Sequence, residues 1–245
     1  MIDKIIDPKM IVQKKINEET IDALSRNFFK EAEEYGFDYK HYIKFVNTLL
    51  DYAIVGKVNG NNRTKVSSAY SYDKKIGSLP IKSENIGIRE VNPRKDMDTI
   101  NKWVKDDYGK YFMLSFSSNE HMDIEHLFEN KNNHFGMITV QNTHPAGLMA
   151  FLNVDQEIHK AELRKLIGNP DFRGRGYGKE AALNWIAYGR DVLGLKKIYL
   201  RTVETNIRNI KLNEDLGFKV EGILRNEVKL NNVYYDVLRM GLVFE

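Results

Sequence analysis

Three glycines alternate with larger residues in Arg173-Gly174-Arg175-Gly176-Tyr177-Gly178-Lys179, and this turn constrains the fold more than any other stretch. Strand-like sequence precedes it over 161–167. Helix-patterned sequence follows over 179–193, with Ala182, Ile186, Gly189 and Leu193 on one face. A strand that turns directly into a helix brings the helix N-terminus, with its free N–H groups and positive dipole end, to the turn. Glycine has no Cβ, so the backbone N–H groups there can approach a ligand closely. Arg173, Arg175 and Lys179 add positive charge. The physical reading is a cradle for a phosphate or pyrophosphate.

Other glycine motifs fit less well. A dinucleotide-binding fingerprint needs a third glycine at 179, which is Lys, and more βα units downstream. A P-loop needs Ser or Thr after Gly178-Lys179, and Glu180 stands there. An Arg/Gly RNA-binding segment would sit in disordered sequence. A loop with no ligand stays open on the turn alone.

The surrounding pattern predicts strands over 86–91, 135–140, 147–154, 161–167, 197–203, 220–228 and 233–242. It predicts helices from Pro93, over 179–193 and over 207–215, the last stopped by Gly217. Turns are expected at 142–146 and across Asn231-Asn232. The order from residue 86 is β, α, β, β, β, α, β, α, β, β. That order indicates an α/β (α+β) domain built on one mostly antiparallel sheet flanked by helices.

Upstream, residues 17–56 read as a helical hairpin. Asn17 or Thr20 would cap one helix, Gly36 would stop it and Asp38 would cap a second. The aromatic set from Phe28 to Phe45 is expected to form the hairpin core. A polar, Gly/Asn-rich linker is expected over 57–84. The organisation is therefore 1–84, a helical extension with linker, and 85–245, the α/β domain.

Composition removes several function classes. The chain has 245 residues, no cysteine and a net charge of only +3. Thiolate catalysis, disulfides and Cys-rich zinc sites are excluded. The charge balance points to no nucleic acid and no membrane. With charges inside the apolar start Met1 to Asp7 and no 18-residue apolar run, the protein is expected to be soluble and cytoplasmic.

The spacing Arg173-x-x-Gly176-x-Gly178 resembles the Arg/Gln-x-x-Gly-x-Gly/Ala signature of the GNAT superfamily of N-acetyltransferases. The stretch from Asn206 to Phe218, ending Leu216-Gly217-Phe218, resembles that family's second signature. Glu221 to Arg225 and Tyr235 to Leu242 are similar to the closing strands of two subgroups. One acetylates protein N-termini, including those of ribosomal proteins. The other acetylates nucleotide-linked amino sugars. The resemblance is close over 161–242, weaker over 86–160 and absent before 84.

The resemblance implies an acyl-CoA-dependent N-acyltransferase with acetyl-CoA as co-substrate and no metal. The strand before the glycine turn would splay from the next strand to admit the pantetheine arm, held by backbone groups of Leu166, Ile167 and Gly168. The Leu166 N–H would donate to the acetyl carbonyl. Arg173, Gly174, Arg175, Gly176, Tyr177, Gly178 and Lys179 would bind the pyrophosphate. Asn206 would fix the end of the splayed strand and touch the cofactor, with Asn209 beside it. Glu162 has the spacing of a catalytic base in some members and is equally compatible with a structural role; His159 is a weaker candidate. Where many members carry an acidic Tyr, this chain has Asn213, which leaves water, the product amine, Tyr234 or Tyr235 to protonate the thiolate.

The expected acceptor is a small-molecule primary amine, most sharply a nucleotide-linked amino sugar. A protein N-terminus is the alternative, and a non-catalytic acyl-CoA-binding module is a third reading favoured by Asn213. Asp106, Asp107, Tyr108 and the run Asp123-Ile124-Glu125-His126 would line an acceptor pocket or form a solvated face. A homodimer is left open.

Overall fold

The computed structural model describes residues 18–38, 41–42, 44–46, 48–49, 52, 75–113, 124–141, 143–203, 205–230 and 232–244. The chain divides into two compact units at residue 48. In the first, α1 (Glu18–Glu34) ends before Gly36, whose φ is 75°. The described residues from 41 to 52 are again helical, and Asp38 Oδ1 accepts from the His41 N–H at 3.0 Å. Phe28 stacks on Phe45 and Phe29 on Tyr42, so these rings hold the hairpin together, whereas Tyr35, expected with them, is exposed, and Tyr39 lies outside the described residues.

The second unit contains β1 (Ile81–Lys82), β2 (Ile86–Glu90), α2 (Pro93–Val104), α3 (Ile124–Glu129), β3 (His134–Val140), β4 (His144–Asp155), β5 (Lys160–Leu166), α4 (Tyr177–Asp191), β6 (Lys197–Val203), α5 (Ile207–Asp215), β7 (Lys219–Leu230) and β8 (Val233–Val243). The strands form one sheet in the order β1-β2-β3-β4-β5-β6-β8-β7. Every neighbouring pair is antiparallel except β5 with β6. The expected mixed, mostly antiparallel sheet is present.

Each face of the sheet buries its own apolar layer. One gathers Ile88, Met149, Phe151, Leu163, Trp185, Ile210 and Phe218 under α4 and α5. The other gathers Ile100, Trp103, Ile124, Met137, Leu148 and Leu166 under α2 and α3. Alternation along β5 therefore sends successive side chains into different layers.

Local chemistry fixes the helix starts. Asn92 caps α2 by accepting from the Arg94 N–H at 3.1 Å, and Pro93 occupies its first turn. Asp96 accepts both nitrogens of Arg89 at 2.7 and 2.8 Å, which ties α2 to β2. Glu180, in the first turn of α4, accepts from the Ser83 hydroxyl and from both nitrogens of Asn85. That contact pins the start of α4 to the β1–β2 turn.

The sheet begins four residues before the expected boundary at 85. Ile81 pairs with Ile88, Leu79 packs against the core, and the Ile76 N–H donates to Asp191 at 2.9 Å. Residues 76–84 thus belong with the second unit. The part of the expected linker over 57–74, the start Met1 to Asp7, and the positions Asp123, Asn142 and Asn231 lie outside the described residues. β7 and β8 still close across a two-residue connection, with Leu230 opposite Val233 and Asn232 at φ 64°. Among the described residues no helix is long and apolar enough to cross a membrane.

Candidate active site

β5 and β6 pair over three positions only: Lys160 with Lys197, Ala161 with Ile198 and Glu162 with Tyr199. Beyond them β5 stays with β4, with Leu148 opposite Leu166, while β6 stays with β8, with Val203 opposite Val237. The two strands therefore diverge from residue 163 toward the glycine turn, and a cleft opens between their backbones.

Packing fixes the mouth of this cleft. A Cβ on Gly168 would come within 2.1 Å of the Trp103 ring, and one on Gly147 within 2.1 Å of the Leu166 carbonyl oxygen. Both glycines let neighbouring elements close against the end of β5. Arg173 works in the same direction. Its guanidinium donates to the carbonyls of Ile167 and Gly168 at 3.0 and 2.7 Å and to Asp106 at 2.6 Å. It also lies 4.4 Å from the centre of the Tyr108 ring. Arg173 thus holds the strand end and the Asp106–Tyr108 segment together, with its charge turned to those partners. The Arg173 guanidinium, joined by the backbone N–H groups of Tyr108 and Gly109, holds Asp106 below the usual carboxylate range.

The turn itself has an open concave face. Gly174 and Gly176 take left-handed φ values of 75° and 85°, and a Cβ built on either would meet nothing within 4 Å. The first N–H groups bonded back into the turn are those of Lys179 and Glu180, both to the Gly176 carbonyl. The N–H groups of residues 174–178 precede them at the positive end of the 15-residue helix α4. Arg175 is exposed beside them, and Lys179 reaches Asp215 at 3.8 Å. This is the geometry of an anion cradle.

Asn206 and Asn209 act one after the other at the end of β6. Asn206 caps α5 by accepting from the Asn209 N–H at 3.3 Å, and the Asn209 amide donates to the Thr202 hydroxyl at 3.1 Å. Together they fix α5 to the diverging strand.

Glu162 is fully buried at the apex of the cleft, on the α2/α3 side. Arg164 lies 2.7 Å away with its own side chain 3% exposed, and Arg201 lies at 3.3 Å. Burial pushes the Glu162 carboxyl up, but the two guanidiniums outweigh it and hold the group below the usual range. Arg201 continues to Glu227 at 3.6 Å. A carboxylate held this way is a weak proton acceptor. Arg164 and Arg201 were not singled out by the sequence; the spacing Glu162-x-Arg164 on one strand signals the first, while Arg201 comes from β6, 39 residues away.

His159 lies at the opposite end of β5, where its carbonyl accepts from the N–H groups of Lys196 and Lys197. The length of β5, about 23 Å at ~3.3 Å per residue, separates it from Leu166. Tyr235 packs beside Val203, Val228 and Val237, while Tyr234 is exposed on the hairpin. Glu125 accepts from the Asn101 amide at 3.2 Å, and Ile124 is core.

On the α4/α5 side of the same cleft, Lys165 reaches from β5 to the side-chain carbonyl of Asn213 on α5. Asn213 is fully buried, and its amide nitrogen stands 3.9 Å from the Met240 sulfur. Burial pulls the Lys165 ammonium down to a pKa of about 7.

A family described as "Acetyltransferase (GNAT) domain" matches residues 85–219, more than half of the chain. The chain belongs to the GNAT acetyltransferase family. Members are acyl-CoA-dependent N-acetyltransferases. Among curated relatives, the spermidine N(1)-acetyltransferase of Escherichia coli K12 is 35% identical over 95 residues, 39% of this chain and 50% of that protein. Its counterpart from Vibrio cholerae is 27% identical over 152 residues, 62% of this chain and 84% of that protein. The match thus spans half the length of the first relative and most of the second. The crystal structure of the Vibrio cholerae enzyme in complex with CoA and spermine has a TM-score of 0.56 at 22% identity, covering 65% of this chain and 95% of that one. That likeness establishes a shared GNAT fold, in agreement with the sheet order described above.

Proposed function

We propose that this GNAT protein transfers acetyl from acetyl-CoA directly to a primary amine of a small molecule, with both substrates bound together. The observation that carries the reading is the divergence of β5 from β6 after Glu162 and Tyr199, with the glycine turn at the end of the same strand. A pantetheine arm is an extended chain with amide donors and acceptors, and it would lie in the cleft as an added strand along residues 163–168. The N–H groups of residues 174–178 would take the pyrophosphate. The Leu166 N–H would meet the acetyl oxygen as it becomes an oxyanion.

The nucleophile has to be a neutral amine. In this reading Glu162 organises Arg164 and Arg201, and the amine loses its proton to solvent. Polyamines are the acceptor class to test first, because the two curated relatives described above are spermidine acetyltransferases by name. Those relatives lend no support to the nucleotide-linked amino sugar expected from the closing strands. Release of free thiol from acetyl-CoA decides the matter. The panel would hold polyamines, free and nucleotide-linked amino sugars, and peptides with free N-termini. Turnover with a small amine is expected. Tight CoA binding with no thiol release from any amine would replace this reading with a CoA-binding module.

A further inference from the structure

Lys165 stands where the strand pattern asks for an apolar residue. Ala161 and Leu163, its neighbours on the same face of β5, and Ile167 just past the strand end all pack into the layer under α4 and α5. Lys165 instead carries an ammonium toward α5, one residue before Leu166, and ends on the buried Asn213. The Asn213 amide nitrogen faces Met240, so its carbonyl oxygen is the atom turned to the lysine. An amide is not an acid, so of this pair only the lysine can give a proton.

We propose that Lys165 is the proton donor to the leaving thiolate of CoA, with Asn213 holding its ammonium at the cleft. The proposal rests on the acetyl-transfer reading above. The amine nitrogen forms a bond to the acetyl carbon. The carbon–sulfur bond then breaks, and its electron pair goes to sulfur. The Lys165 ammonium gives one proton to that sulfur, and CoA leaves as the thiol. The acylated nitrogen sheds one proton, and Lys165 regains one from it or from solvent. Over the cycle an ammonium and a thioester become an amide, a thiol and one released proton.

Energetics favour this direction. A donor with a pKa of about 7 hands its proton downhill to a thiolate whose conjugate acid sits near ~8.5. An ordinary lysine, at about 10.4, would do so uphill. Among the described residues, the ammonium's hydrogen-bond partner is the uncharged Asn213 of α5, with Met240 of β8 behind it, and the residue paired with Lys165 on β4 is the apolar Met149. Burial is the cause of the shift, and the residue as a whole is half-buried.

The test uses the full chain and the best amine from the panel, comparing the wild type with Lys165→Met and Lys165→Arg. CoA affinity by calorimetry and the melting temperature confirm that each variant folds and binds. Both variants should lose about 10²-fold or more in kcat, since arginine keeps the charge but does not give up its proton. The wild-type kcat should fall on the alkaline side as Lys165 loses its proton, and that limb should vanish in Lys165→Met. A Lys165→Met kcat within about threefold of wild type would overturn the donor role while leaving acetyl transfer intact. An active Lys165→Arg would do the same, showing that charge suffices. So would an acetyl group found on Lys165 by mass spectrometry, which would make it an acceptor. A wild type that releases no thiol with any amine would instead overturn the transfer reading itself.

Discussion

Two residues of the cleft do opposite kinds of work. Gly176 holds a left-handed φ of 85° with open space where its Cβ would be. An aspartate there is strained by the backbone and projects a negative charge into the anion cradle. Gly176→Asp should abolish acetyl-CoA binding in a protein that still folds; calorimetry measures it, and unchanged affinity would put the phosphate site elsewhere. Glu162 is held by its neighbours. It is fully buried between Arg164 and Arg201, so removing its charge strands two guanidiniums. Glu162→Gln should cost about 3–5 kcal/mol of stability in urea denaturation, as expected for breaking a buried ion pair on one side. Any loss of turnover should be independent of pH. A large loss that shrinks at high pH, where the amine is already neutral, would make Glu162 the base after all.

At the scale of elements, the α2–β2 tie makes the fold sensitive to acid. Asp96 is buried, and its carboxylate takes both nitrogens of Arg89 and the Asn92 N–H. The Arg89 hydrogen bonds hold its pKa below the ordinary value against the opposing effect of burial. A carboxylate whose folded pKa lies below its unfolded one adds stability above the unfolded value, and that stability is lost as pH falls through the folded value. The window lies at and below about pH 4. Asp96→Asn should lower the melting temperature at neutral pH and flatten its decline over that window; an unchanged acid profile would show that the tie carries little. Strong periodicity and caps made most elements legible beforehand, including α2 with its Pro93, α5 with its Gly217, and the closing hairpin. β1 and α3 were not, because two residues show no alternation and six make too little of a helical period. The glycine turn was readable because its backbone needs glycine. Lys165 was missed although its signal was present, as a lone lysine on an apolar strand face. What no sequence pattern supplied was the partner that draws the lysine inward, since Asn213 lies 48 residues away and meets it only through the crossover from β5 to β6.

For the whole molecule, the two units suggest different roles for the two ends of the chain. The N-terminal hairpin leaves Ile21, Leu24 and Tyr35 exposed, and Phe29 half-exposed beside Tyr42. Such an exposed apolar face is a candidate interaction surface, and truncation tests whether acceptor recognition depends on it. A chain starting at Lys74 keeps β1 and the Ile76–Asp191 contact. It should bind CoA normally and lose acceptor selectivity. One starting at Ser83 should also melt earlier, because it lacks β1. Normal acceptor kinetics with a fall in solution mass would make the hairpin an assembly element instead. The short parallel ladder reaches further than catalysis. Because it stops at Glu162 and Tyr199, the facing backbone edges beyond it have no strand between them. A CoA arm that fills the gap becomes a ninth strand, borrowed from metabolism. At ~100 times its Kd, such a ligand would add ~2.7 kcal/mol to the folded state. The amides along 163–166 that face the gap would then exchange with deuterium at a rate set by donor supply, and the lifetime of the protein against proteases would serve as a gauge of how much acyl-CoA surrounds it.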